Sequence, residues 1–204
     1  MDLTNLIKQL RVEPQRFLDS VSPIALGAFM SGYEASNPAV AKLLRDLSSK
    51  IDGPSEASVF TRAYLRFDLT EAVVRIIDLI DEAKWTMQEA DGGGYFLDGS
   101  FIPTIVRAIE DGRPGIMLGE PTVIWLANCW HGFILGLEEA DPNAADLERA
   151  QFSGFVKWLA ERYADSHATW YKLIYVYGGA CEDGLEKFAE LWREFCGDPT
   201  MSQR

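Results

Sequence analysis

Residues 14–33 read PQRFLDSVSPIALGAFMSGY, and residues 114–133 read PGIMLGEPTVIWLANCWHGF. A gapless alignment of the two stretches keeps their large apolar positions in step. Because self-similarity at a fixed spacing is the signature of a repeated structural unit, this pair predicts that the chain contains related segments. The identical pairs are Pro14 and Pro114, Leu18 and Leu118, Ile24 and Ile124, Leu26 and Leu126, and Gly32 and Gly132.

The segments that flank this pair occur in the same order in both parts of the chain. Residues 6–10 resemble 105–109, residues 41–47 resemble 156–162, residues 59–67 resemble 169–177, and residues 71–80 resemble 183–192. An acidic insertion displaces one of these segments in the second copy. The sequence therefore predicts four parts: a first half at 1–90, a glycine-rich connector at 91–98, a second half at 99–197 and a C-terminal tail at 198–204.

The apolar residues within these segments recur at helical spacings. In 71–84 they lie three and four residues apart, which is the period of an amphipathic helix. The β-rich stretch LIYVY at 173–177 is the strongest strand signal, but its counterpart AYLRF at 63–67 lacks it. We therefore predict an all-α protein of about ten helices, five in each half, with the two pseudo-symmetric halves packed as one unit.

The charge balance disfavours several classes of partner. The 204 residues include 19 basic and 31 acidic side chains, which gives a net charge of −12. Such a charge repels phosphate backbones and anionic lipids, so we expect neither nucleic-acid nor membrane binding. The uncharged run at 121–137 is slightly short for a membrane span, which needs about 20 residues, and it predicts a buried helix instead.

The cysteines and the N-terminal sequence indicate the compartment. Three cysteines at unrelated spacings form no disulfide framework. The first residues also lack the basic and then apolar pattern of a signal peptide. We expect a protein of the reducing cytoplasm.

Few residues carry the pattern of a chemical site. Cys129 and His131 lie two residues apart, so on a helix they point to different sides, and they are too few for a zinc site. We expect no catalytic residue, no metal and no cofactor. Gly132 and Gly136 form a GxxxG pattern, which predicts close approach of another helix. Because Gly32 in the first copy is aligned with Gly132, we predict that both copies need a small residue at one helix crossing.

The acidic residues concentrate in the second copy. No lysine or arginine occurs from 114 to 148, and this stretch ends in the copy-specific insertion. An acidic run of this kind is usually a solvated loop, but it can also be a docking surface that complementary charge helps a basic partner to find. Tyrosine and tryptophan, which dominate protein–protein hot spots, follow soon after. The candidate partner-binding residues are Glu138, Glu139, Asp141, Asp146, Glu148, Trp170, Tyr171 and Tyr175.

A motif around the second copy of the repeat resembles that of a bacterial family. The residues Arg113-Pro114-Gly115-Ile116-Met117-Leu118-Gly119, followed by Leu126 and by His131-Gly132-Phe133, are similar to a pattern that reads RPGMYLGE, a leucine and GY. Phe133 stands where that pattern usually has tyrosine. Further similarity at 155–159, 170–174 and 188–191 extends the resemblance over most of 105–195. The family resembles the immunity proteins of polymorphic toxin systems, which implies a cytoplasmic inhibitor of a basic toxin domain.

Two other functions stay open at this point. The first is an enzyme of unknown reaction with a site between the two halves, which would use His131, Arg113 and a carboxylate such as Glu120. The second is a helical scaffold or assembly module that pairs through its helices.

Overall fold

The computed structural model describes residues 2–54, 58–83, 101–113, 122–178 and 181–197. All regular elements in these ranges are helical, which confirms the predicted all-α class. The predicted connector at 91–98 and tail at 198–204 lie outside the described residues. The α-helices are α1 (Leu3–Val12), α2 (Pro23–Ser36), α3 (Pro38–Leu47), α4 (Val59–Arg66), α5 (Leu69–Ala83), α6 (Phe101–Glu110), α7 (Val123–Ala140), α8 (Pro142–Tyr163), α9 (Trp170–Gly178) and α10 (Cys181–Gly197), and short 3₁₀ helices occupy Pro14–Arg16 and Ser48–Lys50.

The β-rich stretch at 173–177 lies within α9 and is helical. No helix in the described ranges is both long enough and apolar enough to cross a membrane.

Short polar side chains determine where several helices begin. The hydroxyl of Ser22 accepts a hydrogen bond from the backbone N–H of Ala25 at the start of α2, at 3.1 Å. Thr122 does the same for the N–H of Trp125 at the start of α7, also at 3.1 Å. Such N-caps satisfy a backbone donor that the helix itself leaves without a partner. The two aligned stretches therefore begin their helices with the same device.

The chain divides into two compact units. Unit 1 comprises residues 1–97 and 128–145, and unit 2 comprises residues 98–127 and 146–204. The sequence predicted two halves packed as one unit, whereas the structure assigns residues 128–145 of the second half to the first unit. The physical reason is the apolar character of α7, whose side chains at 128–134 are buried except for His131.

Unit 1 is built around α2. This helix packs against α3, α4 and α5, and α1 packs against α5. Their shared core has fully buried side chains such as Leu6, Leu26, Phe29, Tyr33 and Ile76. Burial of large apolar side chains of this kind is the dominant favourable contribution to folding.

The contact of α2 with α7 in unit 1 is made at the level of the backbone. A Cβ atom added to Gly32 would overlap the carbonyl oxygen of Cys129, and one added to Gly132 would overlap the carbonyl oxygen of Phe29. The two contacts are equivalent in the alignment, because Gly32 is aligned with Gly132 and Phe29 is aligned with Cys129. The prediction that Gly32 and Gly132 serve one crossing is therefore confirmed, and the reason is the space that only glycine leaves.

Unit 2 has an aromatic core. In it, α10 packs against α6 and against α9. The ring of Phe155 on α8 lies 5.6 Å from that of Phe188, 5.0 Å from that of Trp192 and 5.6 Å from that of Phe195, measured between centroids. The edge-to-face orientation of these pairs is a favourable arrangement of aromatic rings.

Corresponding helices of the two halves share a burial pattern. In the aligned segments 72–80 of α5 and 184–192 of α10, the same positions are buried in both. The segments 6–10 of α1 and 105–109 of α6 also agree in burial at every position. In addition, α1 packs on α5 as α6 packs on α10. These matches support the predicted repeat, while the pseudo-symmetric relation between the halves stays a prediction.

Candidate partner-binding surface

The predicted acidic residues lie where α7 ends and α8 begins. Glu138 is half-buried, whereas Glu139 and Asp141 are exposed, and all of them belong to unit 1. Asp146 is exposed on α8 and belongs to unit 2. The insertion is therefore largely helical, with exposed carboxylates. The reason is that the insertion extends the helix, so α8 has 22 residues where α3 has 10.

Asp141 starts α8. Its carboxylate accepts hydrogen bonds from the backbone N–H groups of Asn143 at 3.0 Å and Ala144 at 3.1 Å. A negative charge at this position also interacts favourably with the positive end of the helix dipole. The side chain is thereby held in one orientation while it stays exposed to solvent.

The side chain of Glu139 is held by a hydrogen bond from the core of unit 1. The hydroxyl of the fully buried Tyr33 on α2 donates a hydrogen bond to its carboxylate. Burial, together with the adjacent carboxylate, raises the pKa of Tyr33 well above its ordinary value, so the phenol keeps its proton and remains a donor. The exposed carboxylate of Glu139 is therefore connected directly to the core of unit 1.

Asp146 has a cationic neighbour on its own helix. The guanidinium of Arg149, three positions further along α8, lies 3.5 Å from its carboxylate. The Asp146 side chain is 78% exposed, so this ion pair is a surface contact that contributes little to stability.

Glu148 lies inside unit 2 rather than on its surface. Its residue is 4% exposed, and it is on the same stripe of α8 as Ala145, Phe152 and Phe155, which are also buried. The spacings of three and four residues between these positions place them on one helix face. The prediction that Glu148 contributes to a contact surface is therefore not supported by its position.

The predicted aromatic residues of α9 divide between the core and the surface. Trp170 is 8% exposed, and its ring packs edge-on against Phe152 with centroids 5.2 Å apart. Tyr171 is half-buried, with the ammonium of Lys172 at 5.9 Å from its ring centroid. Tyr175 is 44% exposed. Of the three, Tyr175 presents the largest surface to a partner.

The two residues that follow Tyr175 are also exposed and were not among the predicted residues. Val176 is 68% exposed and Tyr177 is 53% exposed. Val176 lies off the buried stripe of Trp170, Leu173 and Ile174, as its spacing could have shown, whereas Tyr177 is in register with that stripe and is exposed near the end of α9.

The residues of the alternative enzyme site have separate partners. Arg113 pairs with the carboxylate of Asp111, two residues before it, at 3.2 Å. His131 forms a hydrogen bond with the carbonyl oxygen of Phe17, while the amide N–H of Asp19 donates to the side chain of Asn128 at 3.0 Å. Desolvation lowers the pKa of His131, and this hydrogen bond and the charge of Asp19 partly oppose that shift. Glu120 lies outside the described residues.

The surroundings of Cys129 also make its thiol unreactive. Burial raises the pKa of its thiol to about 12, and the charge of Glu34 adds to the shift. The thiol is therefore protonated at neutral pH and a poor nucleophile. Among the described residues, no group of three or more His, Cys, Asp or Glu side chains is arranged to hold a metal ion.

Comparison of the chain with protein-family models, with curated proteins and with solved structures found no match. Of the motif that carries the family resemblance, residues 114–121 lie outside the described part of the chain.

Proposed function

We propose that this protein is an immunity-type inhibitor that binds a basic toxin domain in the cytoplasm and occludes its active site. Such an inhibitor needs tight binding and no catalytic residues. It would present an acidic surface with nearby aromatic residues to the toxin. The proposal is supported by the motif resemblance described above and by the placement of the carboxylates.

The observation that carries the proposal is the exposure of Glu139, Asp141 and Asp146 within a stretch that has no lysine or arginine from 114 to 148. Exposed charges of one sign accelerate association with an oppositely charged protein, because the long-range attraction guides the encounter. Basic toxin domains would be attracted, whereas acidic proteins of the cell would be repelled.

The anchoring of two of these carboxylates also favours binding. Glu139 is attached to Tyr33, and Asp141 is held by the backbone of α8. A side chain that is already ordered loses less conformational entropy when it binds. The surface is therefore suited to tight as well as rapid binding.

Co-expression tests the function directly. The protein encoded immediately upstream is expressed in a sensitive host, alone and together with this chain. We expect the upstream protein alone to stop growth and co-expression to restore it. An upstream protein that is harmless, or toxicity that co-expression leaves unchanged, contradicts the proposal.

The acidic surface is tested by a triple variant that removes charge but keeps shape: Glu139→Gln, Asp141→Asn and Asp146→Asn. Asparagine is as good an N-cap as aspartate, so α8 keeps its start. The matched control removes three exposed charges elsewhere, by Asp46→Asn, Glu82→Gln and Glu186→Gln. We expect the first variant to associate with the toxin about tenfold more slowly at low salt. Equal rates for the two variants contradict the role of this surface.

A further inference from the structure

Two tyrosine rings lie face to face in unit 2. Tyr163 is the last residue of α8, and Tyr177 is near the end of α9. Their ring centroids are 4.5 Å apart and their planes are 6° from parallel. This separation is at the short end of the range of about 4.5–7 Å that aromatic pairs adopt, so carbon atoms of the two phenol rings are in direct contact.

The pair is open to oxidants in solution. Tyr177 is 53% exposed and Tyr163 is half-buried. An oxidant therefore reaches the pair through Tyr177, and the ring contact allows an electron to pass from Tyr163 to the oxidised ring. Tyr33 differs in both respects, because it is fully buried and its hydroxyl donates a hydrogen bond to Glu139.

Two phenols in contact can be joined by oxidation. A phenol that loses one electron and its hydroxyl proton becomes a neutral phenoxyl radical, whose unpaired electron is shared between the oxygen and the ring carbons ortho to it. Two such radicals couple through their ortho carbons, and the hydrogens on these carbons leave as the hydroxyl groups and aromatic rings are restored. The pair thus loses two electrons and two protons in total. Hydrogen peroxide, acting through a haem peroxidase, accepts them and becomes two water molecules.

We propose that Tyr163 and Tyr177 are an oxidative modification site, at which hydrogen peroxide and a haem peroxidase join the two rings as dityrosine. The new carbon–carbon bond fastens the end of α8 to the end of α9. Cellular thiols reduce disulfides but not this bond, so the crosslink suits the reducing compartment that the sequence predicts. The site is independent of the proposed toxin-inhibitor function, because neither ring belongs to the acidic surface.

The crosslink should stabilise the fold in the way that a disulfide does. It closes a loop of 15 residues, from 163 to 177. A covalent link across such a loop removes conformations from the unfolded chain and leaves the folded chain almost unchanged. We expect the crosslinked protein to have a thermal midpoint about 5–10 °C above that of the untreated protein.

The test treats the full-length protein with a haem peroxidase and an equimolar amount of hydrogen peroxide. Exposed thiols, of which Cys196 is one, are alkylated first because thiols reduce phenoxyl radicals. We expect the fluorescence of dityrosine in single chains, with a yield that dilution of the protein leaves unchanged, because the reaction is intramolecular. Trypsin, which cleaves after lysine and arginine, should then release residues 163–172 joined to residues 173–187, with two hydrogen atoms fewer than the separate peptides.

Conservative variants identify the two rings. Tyr177→Phe keeps the stacked ring but removes the hydroxyl that forms the radical, so we expect it to lose the dityrosine fluorescence and the joined peptide. The matched control is Tyr175→Phe, because Tyr175 is 44% exposed, two residues away and in the same tryptic peptide. This control should give the same yield of crosslink as the natural protein.

Several results would overturn the proposed site. Equal yields for Tyr177→Phe and Tyr175→Phe would show that the stacked pair is not the reactive one. Crosslinks that form only between chains, or a yield that falls on dilution, would show that the ring contact does not direct the reaction. If a variant fails to fold, fragmentation of the joined peptide from the natural protein decides, and a bond at tyrosines other than Tyr163 and Tyr177 overturns the proposal.

Discussion

Glycine residues on α2 and α7 determine how closely these helices pack in unit 1. At Gly32 the neighbouring atoms are the backbone of Cys129 and Phe133, and at Gly132 they are the backbone of Phe29 and Tyr33. Backbone atoms in the middle of a helix cannot move aside as the end of a long side chain can. The crossing therefore tolerates no side chain at either position.

Alanine at either glycine should separate the two helices. We expect Gly32→Ala and Gly132→Ala each to lower the free energy of unfolding by about 1–3 kcal/mol, the cost of overpacking a well-packed core, despite the higher helix propensity of alanine. Urea unfolding followed by circular dichroism measures this change.

The control for these variants is Gly154→Ala on α8. A Cβ at this position would lie 3.4 Å from the ring of Phe195, an ordinary contact distance. This variant should leave stability unchanged or raise it by about 0.5–1 kcal/mol, because alanine favours a helix more than glycine does. A loss as large as that of Gly32→Ala would contradict the backbone explanation.

Glu34 on α2 should make stability depend on pH. Desolvation raises the pKa of its carboxyl group, partly opposed by Arg45, so the folded protein binds this proton more tightly than the unfolded chain does. A raised pKa means that this group stabilises the fold at low pH and loses that contribution as pH rises through the folded value. We expect Glu34→Gln to be more stable than the natural protein at pH 7, with the difference shrinking at pH 4.

Urea midpoints at the two pH values test this prediction, with Glu82→Gln as the control because Glu82 is exposed. An advantage of Glu34→Gln that is the same at both pH values would show that charge burial is not its cause.

At the scale of the element, the end of α8 carries a conformational cost. Ala164 follows the helix with a φ of 52°, in the left-handed region that disfavours a residue with a Cβ. The N–H of Asp165 bonds to the carbonyl oxygen of Ala160 at 3.1 Å, the pattern of a helix end that usually has glycine. Gly112 has that role after α6, with a φ of 68°.

Replacing Ala164 by glycine should therefore relieve strain. We expect Ala164→Gly to raise the thermal midpoint by a few degrees, since the relief of about 1 kcal/mol exceeds the added flexibility of the unfolded chain. The corresponding change Gly112→Ala should lower the midpoint. A decrease for Ala164→Gly would contradict this account of the helix end.

At the scale of the whole molecule, unit 1 is assembled from distant parts of the chain. Residues 128–145 supply the backbone against which Gly32 packs and the carboxylate that binds the Tyr33 hydroxyl. Without them, the buried face of α2 would be exposed to water. The first half at 1–90 therefore lacks a part of its own core.

This arrangement predicts how fragments behave. A fragment of residues 1–97 should show little cooperative unfolding by itself, and a peptide of residues 128–145 should restore a cooperative thermal transition when it is added. Circular dichroism at rising temperature measures both states. A fragment that melts cooperatively without the peptide, at the temperature of the full chain, would contradict the shared assembly.

The sequence predicted the helical class because the apolar spacing within each segment is local information. The candidate surface was predicted only in part. Glu139, Asp141, Asp146 and Tyr175 are exposed as expected, whereas Glu148 and Trp170 lie on buried stripes. Their helical register with apolar neighbours could have revealed this, but an acidic or aromatic composition considered by itself does not.

By itself, the sequence determined the helical class, the repeated order of segments, the close crossing at Gly32 and Gly132 and the acidic character of the chain. Only the tertiary structure decided that α7 completes the core of unit 1 and that Tyr163 stacks on Tyr177. The physical reason is that helix period and charge are set by neighbouring residues. These contacts instead join residues of different helices and depend on which packing buries the most apolar surface.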